Sequence, residues 1–346
     1  MEHVAIDLGG RESQICIRNS DGKIIEENRC QTIKLGDYLR GRPRSRVVME
    51  TCAESFAVAV GAQLAGHEVR VVPATLVRSL GVGARRLKTD RRDAQALSEA
   101  SCRIDLPSVH LRSERSRDRK TLCGMRDALV QARTQLVNTV RGWLRTQLVK
   151  VRSGQVESFP ERVRETVLNR PEGMPAFVER QLQVIETLTP QVNAATKEIS
   201  EQARQDEVCQ RLMTVPGVGP VTAVRFTATL DTPDRFPDAH QVESYVGLVP
   251  SENSSSSRQR RGSITKAGNG AMRWLLVQAS WCLWRSQPHD PMVQWARRIG
   301  ERRGRSMAIV ALARKLCGVM YAMWRDGTIY TPKRAAQPVV PTQDTP

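Results

Sequence analysis

Residues 4 to 28 read Val-Ala-Ile-Asp-Leu-Gly-Gly-Arg-Glu-Ser-Gln-Ile-Cys-Ile-Arg-Asn-Ser-Asp-Gly-Lys-Ile-Ile-Glu-Glu-Asn. Val4 to Asp7 is a short apolar run closed by an acid. Ser13 to Arg18 alternates as a second strand does, Asp21-Gly22 supplies a hairpin turn, and Lys23 to Asn28 makes a third strand. Further along, Arg46-Val-Val-Met-Glu50 is a buried-type strand, again closed by an acid. Ala53 to Ala65 has the pattern of a helix that Gly66 stops, and Glu68 to Val72 is another strand before Pro73.

Three hairpin-linked strands followed by strand, helix and strand predict a mixed sheet with helices, broadly the ribonuclease H architecture. In such a sheet Asp7 and Glu50 end neighbouring parallel strands, which brings both carboxylates to one sheet edge. From Asp90, Asp-Arg-Arg-Asp-Ala-Gln-Ala-Leu-Ser-Glu-Ala reads as a helix with Asp90 and Asp93 on one face. Clustered carboxylates repel one another and are tolerated when they share a divalent cation, here Mg²⁺ or Mn²⁺. Taken singly, each acid also fits a plain structural role, and Asp90 fits a helix cap.

The 346 residues allow two or three domains. A net charge of +17 and a pI near 10.2 point to a polyanion, and nucleic acid is the obvious one. The excess sits in internal clusters, Arg85 to Arg92, Arg112 to Lys120, Arg258 to Arg261 and Arg297 to Arg305, so the folded body carries it. Aromatic residues make up only 4%, which argues against single-strand binding mainly by base stacking. Eight scattered cysteines without a Cys-x-x-Cys pair exclude a zinc finger and suit reduced thiols. Met1 to Gly10 is too short and too acidic for a signal peptide, and no apolar run suggests a membrane span.

The middle of the chain is helical. Leu122, Met125, Leu129, Ala132, Leu136, Val140 and Trp143 recur at three-four spacing; after a break around Gly154 and Pro160 so do Val178, Leu182, Ile185, Leu188, Val192, Ala195 and Ile199. These predict an antiparallel helical pair, packing on itself or on a partner chain. Pro216-Gly-Val-Gly219 resembles the turn of a helix-hairpin-helix, whose amides at Gly217 and Gly219 hold a DNA phosphate, although a structural turn reads the same way. A helical stretch over Asp234 to Val246 leads through Gly247-Leu-Val-Pro250 to Ser254-Ser-Ser-Ser257, then Arg258, Arg260, Arg261, Lys266 and Arg273. Hydroxyls beside fixed cations suit phosphate chemistry, and a serine oxygen can attack phosphorus; a solvated polar loop has the same composition. Helices are expected over Ala271 to Trp284 and Met307 to Trp324, and the Pro- and Gln-rich tail from Thr331 is expected to be disordered.

Together, Ile6-Asp7, Met49-Glu50-Thr51, Lys88-Thr89-Asp90-x-x-Asp93-Ala94, Pro216-Gly-Val-Gly219, Gly247-Leu-Val-Pro-Ser-Glu252, Ser254-Ser255 and Gly262-Ser-Ile-Thr-Lys-Ala-Gly-Asn269 resemble the insertion-sequence-110 family, the DEDD-type transposases understood as bridge-RNA-guided recombinases. The resemblance runs over about residues 1 to 330, in the family's order. It implies an α/β RuvC-like domain over 1–110, a helical coiled-coil spacer over 111–205, a mainly α transposase domain over 206–330 and a tail over 331–346. It also implies an acidic tetrad of Asp7, Glu50, Asp90 and Asp93 and a serine nucleophile. Counting forward from Pro250 gives Ser255, whereas counting back from Lys266 gives Ser254; Ser255 is preferred. Gly9-Gly10-Arg11 stands where many relatives carry a lysine.

The implied partners are donor and target double-stranded DNA, an element-encoded guide RNA and further copies of the chain, as a dimer to tetramer, in the bacterial cytoplasm at the nucleoid and not at a membrane. The expected reaction is serine attack on a DNA phosphodiester, with Arg258, Arg260, Arg261 and Lys266 beside the developing charge. Three other readings compete: a RuvC-type metal-dependent nuclease using water, a non-catalytic nucleic-acid-binding protein, and a scaffold assembled through the helices.

Overall fold

The computed structural model describes residues 1–79, 89–168, 173–252 and 261–332, which fall into two compact units, Met1–Arg112 and Ser113–Pro346. The expected disordered tail lies outside the described residues from position 333 onward.

The first unit is built on a five-stranded sheet. Its strands are β1 (His3–Asp7), β2 (Glu12–Arg18) and β3 (Ile24–Gln31), then β4 (Arg46–Glu50) and β5 (Glu68–Val72), in the spatial order β3-β2-β1-β4-β5. The first three run antiparallel as a meander, while β1, β4 and β5 run parallel. Gly22 allows the tight β2–β3 turn at φ +79°. Strand alternation divides the core between two faces. Val4, Ile6, Val47 and Met49 pack with α1 (Leu35–Arg40) and α2 (Ser55–Leu64), the helices before and after β4. Ala5, Val48 and Val72 face the other way, toward Val77 of α3 (Ala74–Ser79) and Leu97 of α4 (Asp90–Arg103).

Among its described residues the second unit is helical apart from one hairpin. Helix α5 (Glu114–Thr146) and helix α7 (Ala176–Arg204) run antiparallel, as Arg126 Nε to Thr196 Oγ1 (3.0 Å) and Arg133 Nη1 to Thr189 Oγ1 (3.4 Å) show, and α6 (Phe159–Val167) closes one end of the pair. The buried line of α7 includes Val178, Leu182, Ile185, Val192 and Ile199, from the expected stripe. On α5 the expected stripe is corrected: Met125 is 66% exposed, and the buried line is Ser116, Arg119, Cys123, Arg133, Val137, Val140 and Leu144. Arginines occupy this seam because each finds a partner there. Arg119 pairs with Asp206 (2.6 Å), and Arg133 reaches Glu157 (3.5 Å) as well as Thr189.

Helices α8 (Glu207–Leu212) and α9 (Pro220–Leu230) follow, and Thr222 to Leu230 of α9 are all buried. Of the stretch expected to be helical from Asp234, Pro233–Arg235 form a 3₁₀ turn and the α-helix, α10, spans Ala239–Val246. Next come strands β6 (Pro250–Glu252) and β7 (Arg261–Ile264), then α11 (Gly270–Ser286), α12 (Pro291–Arg303) and α13 (Arg305–Asp326). Neither the hairpin nor α12 is among the elements expected from the sequence. By length and a mean hydropathy of 1.4, α13 does reach the composition of a membrane span, which corrects the reading that no run comes near. Its apolar residues Ala313, Leu316, Cys317, Met320 and Tyr321 lie in the core of the unit, with Phe226 and Leu230 of α9.

Candidate active site

The first group of site residues is set by strand register. Ile6 pairs with Met49 in the parallel β1–β4 ladder, so the next residues, Asp7 and Glu50, leave the sheet side by side at its C-terminal edge. Alternation puts both on the face of Ala5 and Val48, the face that α4 covers. Helix α4 runs antiparallel to β1: Ser101, near its end, bonds His3 Nδ1 at 2.8 Å, and Ser98 accepts from Arg18 Nε at 3.0 Å. Its first turn, with Asp90 and Asp93, therefore lies toward the edge where Asp7 and Glu50 emerge. Thr89 is the N-cap, its hydroxyl accepting from Arg92 N, so Asp90 is not the cap and stands exposed while Asp93 is buried.

The first turn of α4 is tied to the sheet by Glu27 of β3, which accepts from Arg91 Nε (3.0 Å) and Gln95 Nε2 (2.6 Å). These two bonds, from Arg91 first and Gln95 second, hold the Glu27 carboxyl below the usual carboxylate range. Four carboxylates offer the hard oxygen donors that Mg²⁺ or Mn²⁺ prefers, two at the sheet edge and two in the first turn of the helix that covers this face. They do not converge further: among the described residues no three acid, histidine or cysteine side chains lie close enough to hold an ion.

The second group surrounds the β6–β7 hairpin. Residues 253–260, including Ser254, Ser255, Arg258 and Arg260, lie outside the described residues, as does the side chain of Arg261, which opens β7. The base of the hairpin is closely defined. Glu252 pairs with Arg261 and Pro250 with Ile264; Thr265 N donates to Val249 O (2.9 Å) and Lys266 N to Gly247 O (3.1 Å). Gly247, the C-cap of α10 at φ +77°, presses on Ala267, where a Cβ would stand 2.0 Å from the carbonyl oxygen. Opposite it, Gly268 at φ +75° leaves only 2.1 Å between a Cβ and Tyr245 O. Two glycines thus interlock the strands' roots.

Other members of the expected set have definite places. Lys266 is exposed, at φ +55°. Arg273 is a clamp within the protein, its Nη1 donating to Val246 O (2.9 Å) and Ala267 O (2.6 Å) across that junction. Asn269 caps α11 by accepting from Met272 N (3.1 Å) and donates to Thr229 Oγ1 (3.3 Å). Gly217, at φ +91°, is pressed against α11, where a Cβ would lie 2.6 Å from Ala279 O; packing alone requires glycine there. Gly219 is the N-cap of α9 and has open space around it. Sequence reasoning passes over Glu27 and takes Gly247, Gly268 and Asn269 only as members of the motifs around the serine segment. Only Asn269, flanked by glycines ahead of an apolar helix, carries a local signal, that of an N-cap.

Residues 4–148 match a family model described as a transposase, the DEDD domain of IS110 elements, and residues 209–292 match the model described as "Transposase IS116/IS110/IS902 family". The chain is 27% identical over 340 residues to a probable family 20 transposase of Pseudomonas aeruginosa, covering 96% of this chain and 99% of the relative. It is 28% identical to the transposase for insertion sequence element IS1111A of Coxiella burnetii, over 92% of this chain and 88% of that one. A putative transposase of Sinorhizobium fredii, y4qE, is 30% identical over 75% of this chain and 70% of its own length. The strand-edge acids, the α4 acids and the glycine-locked hairpin thus occur in a chain that belongs to the IS116/IS110/IS902 family of transposases.

Proposed function

We propose that this transposase is an RNA-guided DNA recombinase that cuts and rejoins DNA through a phosphoserine link, with Ser255 as nucleophile and Asp7, Glu50, Asp90 and Asp93 as its acidic set. The observation that carries the reading is that Asp7 and Glu50 leave neighbouring parallel strands at one sheet edge, with the first turn of α4, which holds Asp90 and Asp93, toward that edge. The interlocked hairpin root supports it, because it anchors the serine-bearing segment at both ends.

In the first step Ser255 Oγ attacks a backbone phosphorus. An Oγ–P bond forms, the P–O3′ bond breaks, the hydroxyl proton is released and the departing 3′ oxygen takes one up. Each bond broken is replaced by another phosphoester, so strand exchange and reversal of the attack reseal the DNA without an outside energy source. A bound Mg²⁺ or Mn²⁺, held by Asp7, Glu50, Asp90 and Asp93, would supply Lewis-acid polarisation of the phosphate. Arg258, Arg260, Arg261 and Lys266 are the cations for the charge that builds on the phosphoryl oxygens. DNA sequence is chosen by base pairing with an RNA encoded beside the gene, while the protein holds backbone and shape. The chain works as a dimer to tetramer in the cytoplasm, at the nucleoid.

The test is an in vitro joining reaction with donor and target duplexes, Mg²⁺ and RNA transcribed from the element's non-coding flank. Joined product that requires that RNA supports the reading, and equal joining without it removes RNA guidance. Cleavage that persists in a Ser254→Ala/Ser255→Ala double variant would favour a nuclease using water instead.

A further inference from the structure

From Gly270 to Asp326 the sequence carries ten basic residues and three acids. Two of the acids are engaged elsewhere: Asp290 caps α12 and accepts from Tyr330 Oη (2.5 Å), and Asp326 pairs with Arg325 (2.7 Å). Arg285 at the end of α11, Arg297, Arg298, Arg302 and Arg303 on α12, and Arg305 at the start of α13 are all exposed. Among the described residues none of these six is in an ion pair with a carboxylate. Glu301 is the one acid among them.

The arrangement is held from beneath. Met292, Val293 and Ala296 of α12 are buried with Leu283 and Leu312, which turns the arginine-bearing side outward. Trp281 carries the guanidiniums of Arg305 and Arg285 at 4.9 and 5.5 Å from its ring centre, and Trp284 carries Arg297 at 5.1 Å. A guanidinium laid on an indole keeps its in-plane N–H groups for an anion and has less rotamer freedom left to lose on binding. The same contacts occupy indole surface that a nucleobase would need for stacking, which disfavours a single strand. Arg297 and Arg298 stand four to six residues before Arg302 and Arg303. That is about 6–9 Å along the helix at ~1.5 Å per residue, comparable to the step between successive phosphates of one strand.

We propose that this α11–α12–α13 arginine face is a docking surface for the phosphodiester backbone of a DNA duplex, the polyanion on which a transposase acts. It is built from elements other than the serine hairpin and reads charge and shape, not sequence. It rests on the recombinase reading only in taking DNA as the polyanion.

The test uses the full chain and measures binding against salt concentration for a DNA duplex of arbitrary sequence, an RNA hairpin and an unpaired DNA strand. Arg298→Ala/Arg302→Ala/Arg303→Ala removes three charges that do not sit on tryptophans, and its circular dichroism and melting temperature should match the parent's. The slope of log K against log salt should become shallower by roughly 2–3 for a duplex, at about 0.9 per phosphate contact, and by less for the unpaired strand. Glu301→Gln should tighten duplex binding. A larger loss for the RNA hairpin than for the DNA duplex overturns DNA as the occupant. Unchanged duplex slope and affinity in a folded triple variant overturn the surface, and so does an equal loss for the unpaired strand. Neither result touches the recombinase reading, whose acids and serines the triple variant leaves in place; that reading fails separately, in the joining reaction.

Discussion

Replacing Gly247 with alanine tests the claim that the serine-bearing segment is anchored by an interlock of two glycines. The new Cβ would stand 2.0 Å from Ala267 O and 2.6 Å from Ala267 N, both backbone atoms that cannot swing aside as a side chain can. A non-glycine residue in the left-handed region costs roughly 1–2 kcal/mol. Overpacking a close contact adds about 1–3 kcal/mol. Gly327→Ala is the matched control in the same unit, because Gly327 caps α13 at φ +68° and has nothing within 4 Å of the point where a methyl group would stand. It should show the conformational cost alone. The difference between the two variants, about 1–3 kcal/mol, corresponds to an extra fall in melting temperature of roughly 5 °C at 2–4 °C per kcal/mol. Thermal unfolding followed by circular dichroism reads this directly. DNA joining should also fall more in Gly247→Ala than in Gly327→Ala at a temperature where both are folded. Equal melting temperatures and equal joining would refute the interlock.

Asp206 caps α8 and pairs with Arg119, both side chains being buried, so Asp206→Asn should destabilise the second unit by about 3 kcal/mol in urea unfolding. Burial alone would raise the Asp206 carboxyl, but the Arg119 hydrogen bond, the Cys209 amide and the charges of Arg119 and Arg115 outweigh it and hold it below the ordinary value. Its contribution is therefore complete above the unfolded value near pH 4 and is lost as pH falls through the depressed one. Acid should accordingly lower the parent's melting temperature more steeply than that of Asp206→Asn. Asp90→Asn should abolish DNA joining while leaving the melting temperature and RNA binding near the parent's, since it removes charge from an exposed first-turn position but little volume; normal joining would remove Asp90 from the site. Mixing Asp90→Asn chains with Ser255→Ala chains, each inactive alone, should restore part of the joining if acids and serine from different subunits meet. Mixed oligomers that stay inactive at every ratio would place the whole site within one chain.

The first unit was legible because strand alternation and hairpin turns are local. The edges of β4 and β5 coincide with the apolar runs Arg46 to Glu50 and Glu68 to Val72, and the parallel order follows from the crossover through α2. From there the placement of Asp7 and Glu50 needs only the register. The second unit was less legible for particular reasons. The seam of α5 is read wrongly from apolar spacing because Arg119 and Arg133 occupy it, each with a partner distant in sequence. Helix α12 is obscured by its arginines, and its start is marked only by the Asp290-Pro291 pair, in which Asp290 accepts from Met292 N at 2.8 Å. The contacts of Gly247 with Ala267 and of Gly268 with Tyr245 are tertiary. Nothing within either segment alone announces that each glycine makes room for the other's neighbour. Arg273 reads as a cation for nucleic acid until its clamp on two carbonyls is seen.

The measurement that bears most directly on the recombinase reading is a denaturing gel of the protein incubated with Mg²⁺, RNA and labelled target DNA, followed by mass mapping of any protein–DNA adduct. A covalent adduct is expected on the peptide containing Ser255, present in the parent and absent in Ser255→Ala. An adduct that survives in Ser255→Ala and vanishes in Ser254→Ala moves the nucleophile by one residue. DNA that is cut with no adduct on any serine of residues 254–257 would contradict the phosphoserine mechanism.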